Sequence, residues 1–265
     1  MSSRIAFVTS ERLSRIPKLR HGMTQRFGGI SRGPYESLNL GLHVEDYKQH
    51  VVENRRRACR ALGFPLASWV GAEQVHGVHV ARVTSRHRGS GAFEHATAIP
   101  KADGLITNEA DVLLTSFFAD CVPIVVYDPQ ERSIGMAHAG WRGTVGRIAG
   151  KLVHAMQHEF SCDPAALYVW IGPSIGPCCY VVGSELAQRV ADAFGSNFVP
   201  FDVSRQQHTL DLPALNKALL QQAGVKEEHI ELAGQCTQCQ TDTFFSHRAS
   251  GGKTGRMACF IGLTK

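Results

Sequence analysis

The sequence predicts a mixed α/β fold and not a simple doubly wound sheet. Segments with strand-like and helix-like patterns alternate along the chain, but without the regular spacing of βαβ units. Two apolar runs between Ser116 and Thr144 flank the turn-forming sequence Asp128-Pro129-Gln130-Glu131, which predicts an antiparallel hairpin at the centre of the chain. With 265 residues, 43% of them hydrophobic, the chain can bury a sizeable core, as one large domain or as two closely packed halves.

Elements of the first half follow from apolar spacing and from glycine and proline. Arg4 to Val8 has the pattern of a short strand, and residues 21–46, rich in glycine, are expected to be mostly loop. A helix is predicted from about Lys48 to Leu62, with Arg55 on its solvated side. A strand with an interruption at Gly77 is predicted from Gly71 to Val83.

The second half alternates strands with helices. Strands are predicted at Val112–Phe118, Leu167–Ile171, His229–Leu232 and Met257–Leu263, and helices at Thr144–Phe160, Gly183–Phe194 and Leu212–Ala223. Asp211 is the expected N-cap of the last of these helices.

Charge, cysteine usage and hydropathy limit the class of protein. The net charge is +5, but lysine and arginine are dispersed, so we expect no nucleic-acid partner. Small anions such as phosphate are still possible ligands. Eight cysteines without framework spacing indicate a reducing compartment. No secretory signal pattern or long apolar stretch is present, which predicts a cytoplasmic protein without membrane contact and without an evident obligate protein partner.

The hairpin suggests a pair of metal ligands. If its turn is centred between Pro129 and Gln130, residues whose numbers sum to 259 face each other, and Cys121 lies opposite His138. Side chains that face each other across two strands have Cβ atoms about 4.5–5.5 Å apart, close enough for a thiolate and an imidazole to share one metal ion. Taken singly, each of these residues is more often an ordinary buried side chain.

Other polar residues stand out with less specificity. Arg26, Asn39 and His43 in the glycine-rich loop could reach a ligand, although such residues more often hydrogen-bond within a loop. The single C-x-x-C sequence at Cys236 and Cys239 lacks a second pair, so we expect ordinary thiols there.

Several motifs together resemble the YfiH/YlmD family, also called laccase-domain or polyphenol oxidase proteins, which is related to the mammalian enzyme FAMIN. The resemblance covers roughly residues 21–263. The motifs that carry it are Gln74-Val75-His76-Gly77, Ala102-Asp103-Gly104, Ala119-Asp120-Cys121-Val122-Pro123, His138-Ala139-Gly140-Trp141-Arg142-Gly143, Gly172-Pro173-Ser174-Ile175-Gly176-Pro177-Cys178-Cys179-Tyr180 and Phe244-Phe245-Ser246-His247-Arg248.

This resemblance implies a single catalytic domain over residues 1–265, with a layered fold of mixed β-sheets flanked by helices. It also implies a zinc enzyme of purine nucleoside metabolism. The expected reactions are phosphorolysis of adenosine, inosine, guanosine and methylthioadenosine, together with deamination of adenosine, so the partners would be a nucleoside and phosphate. The implied metal ligands are His76, Cys121 and His138. Three protein ligands leave tetrahedral Zn²⁺ an open position, as in catalytic zinc sites.

Roles for the remaining site residues are hypotheses. Asp120, next to a ligand, is a candidate for proton transfer, although in a regular strand its side chain would point away from that of Cys121. Arg142, Arg248 and Arg55 are candidate phosphate holders. Arg26, Asn39 and Arg55 are expected to contact the substrate.

Two alternatives come from other classes of protein. Cys121 and His138 could form the nucleophile and base of a cysteine hydrolase. A copper polyphenol oxidase would need many more histidine ligands at set spacings, although a thiolate and imidazole site also binds Cu²⁺ in vitro.

Overall fold

The structure is a computed structural model that describes residues 5–204 and 206–265. Its helices are α1 Glu11–Ser14, α2 Lys48–Ala61, α3 Trp141–Val145, α4 Ile148–Phe160, α5 Ser184–Phe194 and α6 Leu212–Gln222. Its strands are β1 Phe7–Val8, β2 Leu19–Thr24, β3 Trp69–Gly71, β4 Val80–Arg82, β5 Gly104–Thr107, β6 Leu113–Phe118, β7 Val122–Asp128, β8 Ser133–Ala139, β9 Tyr168–Ile171, β10 Val181–Val182, β11 Phe201–Asp202, β12 Gln207–Thr209, β13 Ile230–Leu232 and β14 Met257–Leu263.

The strands form two large mixed sheets and one small sheet. The six-stranded sheet has the order β13-β9-β7-β8-β5-β4, and its two outermost pairs are parallel. The five-stranded sheet has the order β1-β2-β14-β6-β3, in which only β3 and β6 run parallel. Strands β10, β12 and β11 form the small antiparallel sheet. The mixed α/β class predicted from the sequence is confirmed.

The two large sheets pack face to face and helices cover their outer faces. One face of the β7–β8 hairpin, with Ile124 and Ala137, packs against α4 and α6. The other face, with Val125 and Met136, packs against the five-stranded sheet. The far side of that sheet, including Phe260, lies under α2. This alternation of inward and outward side chains produces four layers in the order helix, sheet, sheet, helix.

The central hairpin forms as predicted, but its register differs by two residues. Val122 pairs with Ala139 and Asp128 with Ser133, so paired numbers sum to 261. The loop is longer than expected because Arg132 adopts a left-handed conformation, with φ +50°, and the Asp128 carboxylate accepts a hydrogen bond from the Gln130 N–H. Pro123, not Cys121, therefore lies opposite His138.

Two predicted elements are each divided in the structure. The segment predicted as one strand from Gly71 to Val83 separates into β3 and β4, which belong to different sheets. The helix predicted at Thr144–Phe160 separates into α3 and α4, because Arg147 has a φ of +64°. The strand predicted at Arg4–Val8 is found at Phe7–Val8, and Arg4 lies outside the described residues.

The expectation that Arg55 lies on the solvated side of its helix is wrong. Its side chain is 1% exposed, and its guanidinium group lies over the rings of Trp69 and Phe117. That group donates hydrogen bonds to the carbonyls of Leu40, Gly91 and Ala92. Two aromatic rings and three carbonyls thus replace water around this charge.

The remaining predicted helices and strands are found within a residue or two of their expected bounds. The Asp211 side chain accepts a hydrogen bond from the Ala214 N–H at 2.9 Å, as expected of an N-cap. Within the described part of the chain, no helix has the length and apolar character needed to cross a membrane.

Candidate metal centre between two cavities

Three side chains that can bind a metal converge where the chain passes between the two large sheets. Cys121 ends the link from β6, in the five-stranded sheet, to β7, in the six-stranded sheet. His76 lies in the link from β3 to β4, which joins the same two sheets. His138 lies in β8, next to β7. The layered fold therefore brings together ligands that are far apart in sequence.

The separations of the potential ligand atoms fit a single metal ion. The Cys121 Sγ lies 3.9 Å from the His76 Nε2, and the ligand atoms of all three residues lie within 4.8 Å of one another. In a tetrahedral zinc site the bond lengths put sulfur and nitrogen about 3.6 Å apart. Cys121 is diagonal to His138 across the hairpin and on the same face, since a shift of two residues does not change the face.

The carboxylate of Asp103 holds both histidines. One oxygen lies 2.9 Å from the His138 Nδ1, which leaves the Nε2 of that ring for a metal. The same carboxylate accepts hydrogen bonds from the N–H groups of Val75, His76 and Gly77 at 3.1, 3.0 and 2.7 Å. These bonds fix the turn in which His76 has a φ of +58°. Such supporting carboxylates are common behind histidine ligands.

The ionisable groups of the centre shift one another's pKa. Burial acts to raise the pKa of Cys121, but the neighbouring His138 and the hydrogen bonds from both histidines outweigh burial and lower it. Burial acts to lower the pKa of His138, but the Cys121 thiolate and the Asp103 carboxylate raise it. The pair is therefore stabilised as thiolate and imidazolium when no metal is bound, and a metal ion held there would displace the imidazole proton.

Two cavities meet at this centre. The first has a volume of about 310 Å³ and the second about 160 Å³, and His76, Ala119, Cys121 and His247 line both. The first is also lined by His43, Ala72, Gln74, His95, Phe117, His138 and Arg256. The second is also lined by Asp120, Trp141, Arg142, Ile175, Tyr180, Leu212 and Arg248. A ligand could therefore contact the metal centre from two sides.

The second cavity is lined by Asp120, the candidate for proton transfer, and by Arg142 and Arg248, two of the candidate phosphate holders. Arg142 is exposed and its guanidinium lies over the Trp141 ring. Arg248 lies over the Tyr180 ring and donates a hydrogen bond to the Val181 carbonyl at 2.8 Å. The two guanidinium groups give this cavity a positive wall.

Asp120 is 8% exposed, and its φ of +90° shows that the backbone is not a regular strand just before the thiol. Its carboxylate accepts hydrogen bonds from the Thr237 hydroxyl and from the Arg248 backbone N–H, each at 2.7 Å. It therefore anchors the segment that carries Arg248, and this is the role that its contacts support.

Arg26, Asn39 and Arg55, expected to contact the substrate, line neither cavity. The Arg26 guanidinium is held by the carbonyls of Glu36 and Thr241. Asn39 is fully buried, and its Oδ1 accepts a hydrogen bond from the Arg256 N–H. Arg55 contacts Phe117, which does line the first cavity. The polar groups of all three residues are occupied by backbone or side-chain partners. Asn39 and Arg55 support residues that line the first cavity, whereas the partners of Arg26 line neither cavity.

Sequence reasoning missed several residues of the site. Asp103 and His247 lie within quoted motifs, but nothing in their spacing indicates a role, and Arg256 and His95 are brought to the first cavity only by the tertiary fold. Burial, followed by the positive charges of Arg256 and neighbouring groups, lowers the pKa of His43 to about 3. His43 is therefore a neutral imidazole at physiological pH, beside the cationic Arg256.

Comparison with known proteins agrees with the fold. A sequence model of the family described as multi-copper polyphenol oxidoreductase laccase matches residues 20–264. The chain belongs to this family, and the resemblance to YfiH and YlmD proteins is confirmed.

The individual relatives are named as purine nucleoside phosphorylases, whereas the family description names a laccase. The purine nucleoside phosphorylase YlmD of Geobacillus stearothermophilus is 48% identical over 91% of this chain and 89% of its own length. The protein of the same name from Bacillus subtilis is 42% identical over 91% of this chain and 87% of its own length. The crystal structure of the Geobacillus stearothermophilus protein superposes with a TM-score of 0.91 over 98% of this chain and 99% of the other, at 44% identity.

Proposed function

We propose that this protein is a zinc-dependent purine nucleoside phosphorylase that also deaminates adenosine. The observation that carries the proposal is the position of His76, Cys121 and His138 at the junction of two cavities, one of which has two arginines in its wall. The names of the most similar relatives support the same reaction class. We extend the proposal to adenosine, inosine, guanosine and methylthioadenosine as substrates.

Phosphorolysis requires a nucleoside and a phosphate anion to meet at C1′ of the ribose. The phosphate oxygen forms a bond to C1′, the bond from C1′ to the purine nitrogen breaks, and the departing base takes up a proton. We assign the phosphate to the second cavity, where Arg142 and Arg248 offer fixed positive charge. We assign the purine to the first cavity, where Phe117 supplies an aromatic wall and Gln74 a polar group.

The metal would act between these two subsites. A zinc ion held by the three ligands would supply a Lewis acid with one open coordination position. His247 lines both cavities, so its imidazole is placed to exchange hydrogen bonds with a substrate that spans them. Asp103 keeps the two histidine ligands in position throughout.

Product analysis tests this function. Purified protein is incubated with adenosine, with and without phosphate, and the products are separated by chromatography. We expect adenine and ribose 1-phosphate with phosphate, and some inosine without it, while the Cys121→Ser variant forms neither. Intact purines together with oxidation of phenols by the zinc-only protein would show that the proposal is wrong.

One observation favours a second function, that of a cysteine hydrolase. Cys121, His138 and Asp103 form a connected row in which the imidazole lies between thiol and carboxylate, as in nucleophilic triads. A hydrolase would use Cys121 without metal, so alkylation of Cys121 should abolish activity and excess zinc should inhibit it. If the protein is a zinc enzyme, added zinc should instead restore activity to protein from which the metal has been removed.

A further inference from the structure

The cysteines that neither the metal centre nor the core uses form a second cluster. Cys178 and Cys179 follow a turn after β9, and Cys236 and Cys239 lie in the segment between β13 and β14. Their four sulfur atoms lie within 4.8 Å of one another, and the Cys239 Sγ is 3.5 Å from that of Cys178 and 3.4 Å from that of Cys179. We propose that these four cysteines bind a second, structural zinc ion.

The distances and the chemistry of the donors agree with this assignment. With zinc–sulfur bonds of about 2.3 Å, a tetrahedral site places its sulfurs about 3.8 Å apart. A disulfide would bring two sulfurs to about 2.05 Å and would not explain why four converge. Four thiolates and no histidine make a closed site, the arrangement of structural zinc, in contrast to the three-ligand centre.

The backbone around the cluster is arranged to present the sulfurs. The Gly176 N–H donates a hydrogen bond to the Cys236 Sγ at 3.3 Å, the kind of N–H···S contact that supports a metal-bound thiolate. The Gly176 carbonyl accepts from the N–H groups of Cys179 and Tyr180, which closes the turn that carries the first two cysteines. A Cβ at Gly176 would lie 3.3 Å from the Cys178 Sγ, so the turn passes close to the cluster.

Backbone hydrogen bonds align the two cysteine-bearing segments independently of the sulfurs. The Ser174 N–H donates to the Gln235 carbonyl at 3.2 Å, and the Thr237 N–H donates to the Ser174 carbonyl at 3.0 Å. The cysteines on either side are thus already close when no metal is bound. Because the four ligands are already close together, the chain loses less conformational entropy when an ion binds.

The position of the cluster explains what a second ion would stabilise. No helix or strand occurs between β13 and β14, so this described segment is held by turn hydrogen bonds and by one isolated β-bridge, between Ser174 and Cys236. The segment nevertheless supplies the Thr237 hydroxyl and the Arg248 N–H to Asp120, and the Arg248 side chain to the second cavity. Tyr180 of the same cavity directly follows Cys179. A zinc ion would therefore link the segment that carries Arg248 to the segment that carries Tyr180, and both of these residues line the second cavity.

The zinc content of four proteins tests the proposal. We expect about two zinc ions per chain in the wild type, about one in Cys121→Ser, about one in the double variant Cys236→Ser/Cys239→Ser, and none when all three substitutions are combined. Elemental analysis after gel filtration measures the content. Equal zinc in the wild type and the double variant would overturn the proposal, and iron in place of zinc would overturn the choice of metal.

A measurement on the wild type alone guards against a variant that fails to fold. The four cysteines are exposed or half-buried, so an alkylating reagent can reach them, and mass spectrometry of peptides reports the modification of each. We expect all four to be protected in the zinc-loaded protein and modified after chelation, while buried Cys59, Cys162 and Cys259 stay unmodified in both states. Equal modification of the four before and after chelation, or their recovery as disulfides from the freshly isolated protein, would contradict the proposal.

Discussion

Asp103 positions two of the three proposed metal ligands through one carboxylate. Its carboxylate fixes the ring orientation of His138 through the Nδ1 of that ring, and it fixes the turn at His76 by accepting the His76 backbone N–H. Because the residue lies just before β5, its position is set by the pairing of β5 with β8, the strand that carries His138. The sequence shows only an aspartate before a strand, and the role becomes visible once both partners are in place.

Gly140 leaves the space that the ligands occupy. A Cβ there would lie 2.9 Å from the His76 Cδ2 and 3.0 Å from the Cys121 Sγ, although φ −71° and ψ 173° suit alanine. We therefore expect Gly140→Ala to lower zinc affinity by about tenfold or more, since the ligands must move apart. Competition with a chelator measures the affinity.

Gly183 offers a matched control for this substitution. It also precedes a helix, with φ −69° and ψ 157°, and a Cβ added there would meet no atom within 4 Å. Gly183→Ala should leave zinc affinity unchanged. An equal loss of affinity in both variants would mean that helix capping, not the space around the ligands, accounts for the effect.

Substitution of Arg248 or Arg142 tests whether phosphate binding is separate from the proposed metal chemistry. Replacing either with methionine removes a cation from the second cavity, and Arg248→Met keeps the backbone N–H that bonds to Asp120. We expect phosphorolysis to slow by about 10–100-fold, about 1.4–2.7 kcal/mol, with a higher phosphate requirement and a smaller effect on deamination.

Steady-state kinetics with varied phosphate measure this effect, and Arg60→Met on the exposed side of α2 serves as the control. Equal loss of phosphorolysis and deamination, with zinc content unchanged, would show that the two arginines position the nucleoside or the fold instead of the phosphate.

At the scale of elements, the hairpin shows what apolar patterning can and cannot determine. The two strands, their antiparallel pairing and the shared face of Cys121 and His138 follow from the sequence, because the face depends only on alternation. The register does not, because the loop contains Arg132 in a left-handed conformation that an arginine gives no reason to expect.

Arg55 shows a second limit of local patterns. Helical spacing correctly predicts α2, but the partners that make its arginine a buried residue, Trp69 and Phe117, come from β3 and β6. A burial pattern that depends on residues far along the chain cannot be derived from the helix alone.

Helix α6 depends on its cap for part of its stability. The Asp211 carboxylate accepts the Ala214 N–H, and the helix packs against α4 and α3. We expect Asp211→Ala to lower the free energy of unfolding by about 1 kcal/mol, and Asp211→Asn to lower it much less, because asparagine keeps the acceptor. Urea unfolding measures both. Equal losses in the two variants would assign the effect to charge instead of capping.

At the scale of the whole molecule, both candidate metal sites depend on links that the sequence does not display. The three-ligand centre lies where the chain crosses between the sheets, and the four-cysteine cluster joins segments on either side of α5 and α6. A single C-x-x-C sequence predicts ordinary thiols, and only the tertiary fold supplies the second pair of cysteines. The family motifs predicted the three-ligand set because they span those links.

His21 makes the stability of the molecule depend on pH. It is 5% exposed, and its Nε2 accepts the Ser10 N–H at 2.9 Å, so the neutral ring is the native form. Burial lowers its pKa to about 4, against the opposing effect of the Glu231 carboxylate. The unfolded chain, with an ordinary pKa near 6.5, binds a proton first as the pH falls, so its contribution to stability is full above pH 6.5 and is lost towards pH 4.

We expect the wild type to lose about 2 kcal/mol more stability than His21→Gln between about pH 6.5 and 4.5, since one pKa unit corresponds to about 1.4 kcal/mol. Urea unfolding of both proteins after zinc removal measures the difference without a contribution from metal release. Parallel pH profiles of the two proteins would show that His21 does not control this loss.

The most direct test of the three-ligand centre is the zinc content of wild-type protein and of Cys121→Ala, measured by elemental analysis on samples prepared side by side. If His76, Cys121 and His138 hold a metal ion at the junction of the two cavities, the variant contains one zinc per chain less than the wild type. Equal zinc in the two proteins would contradict the assignment of this centre.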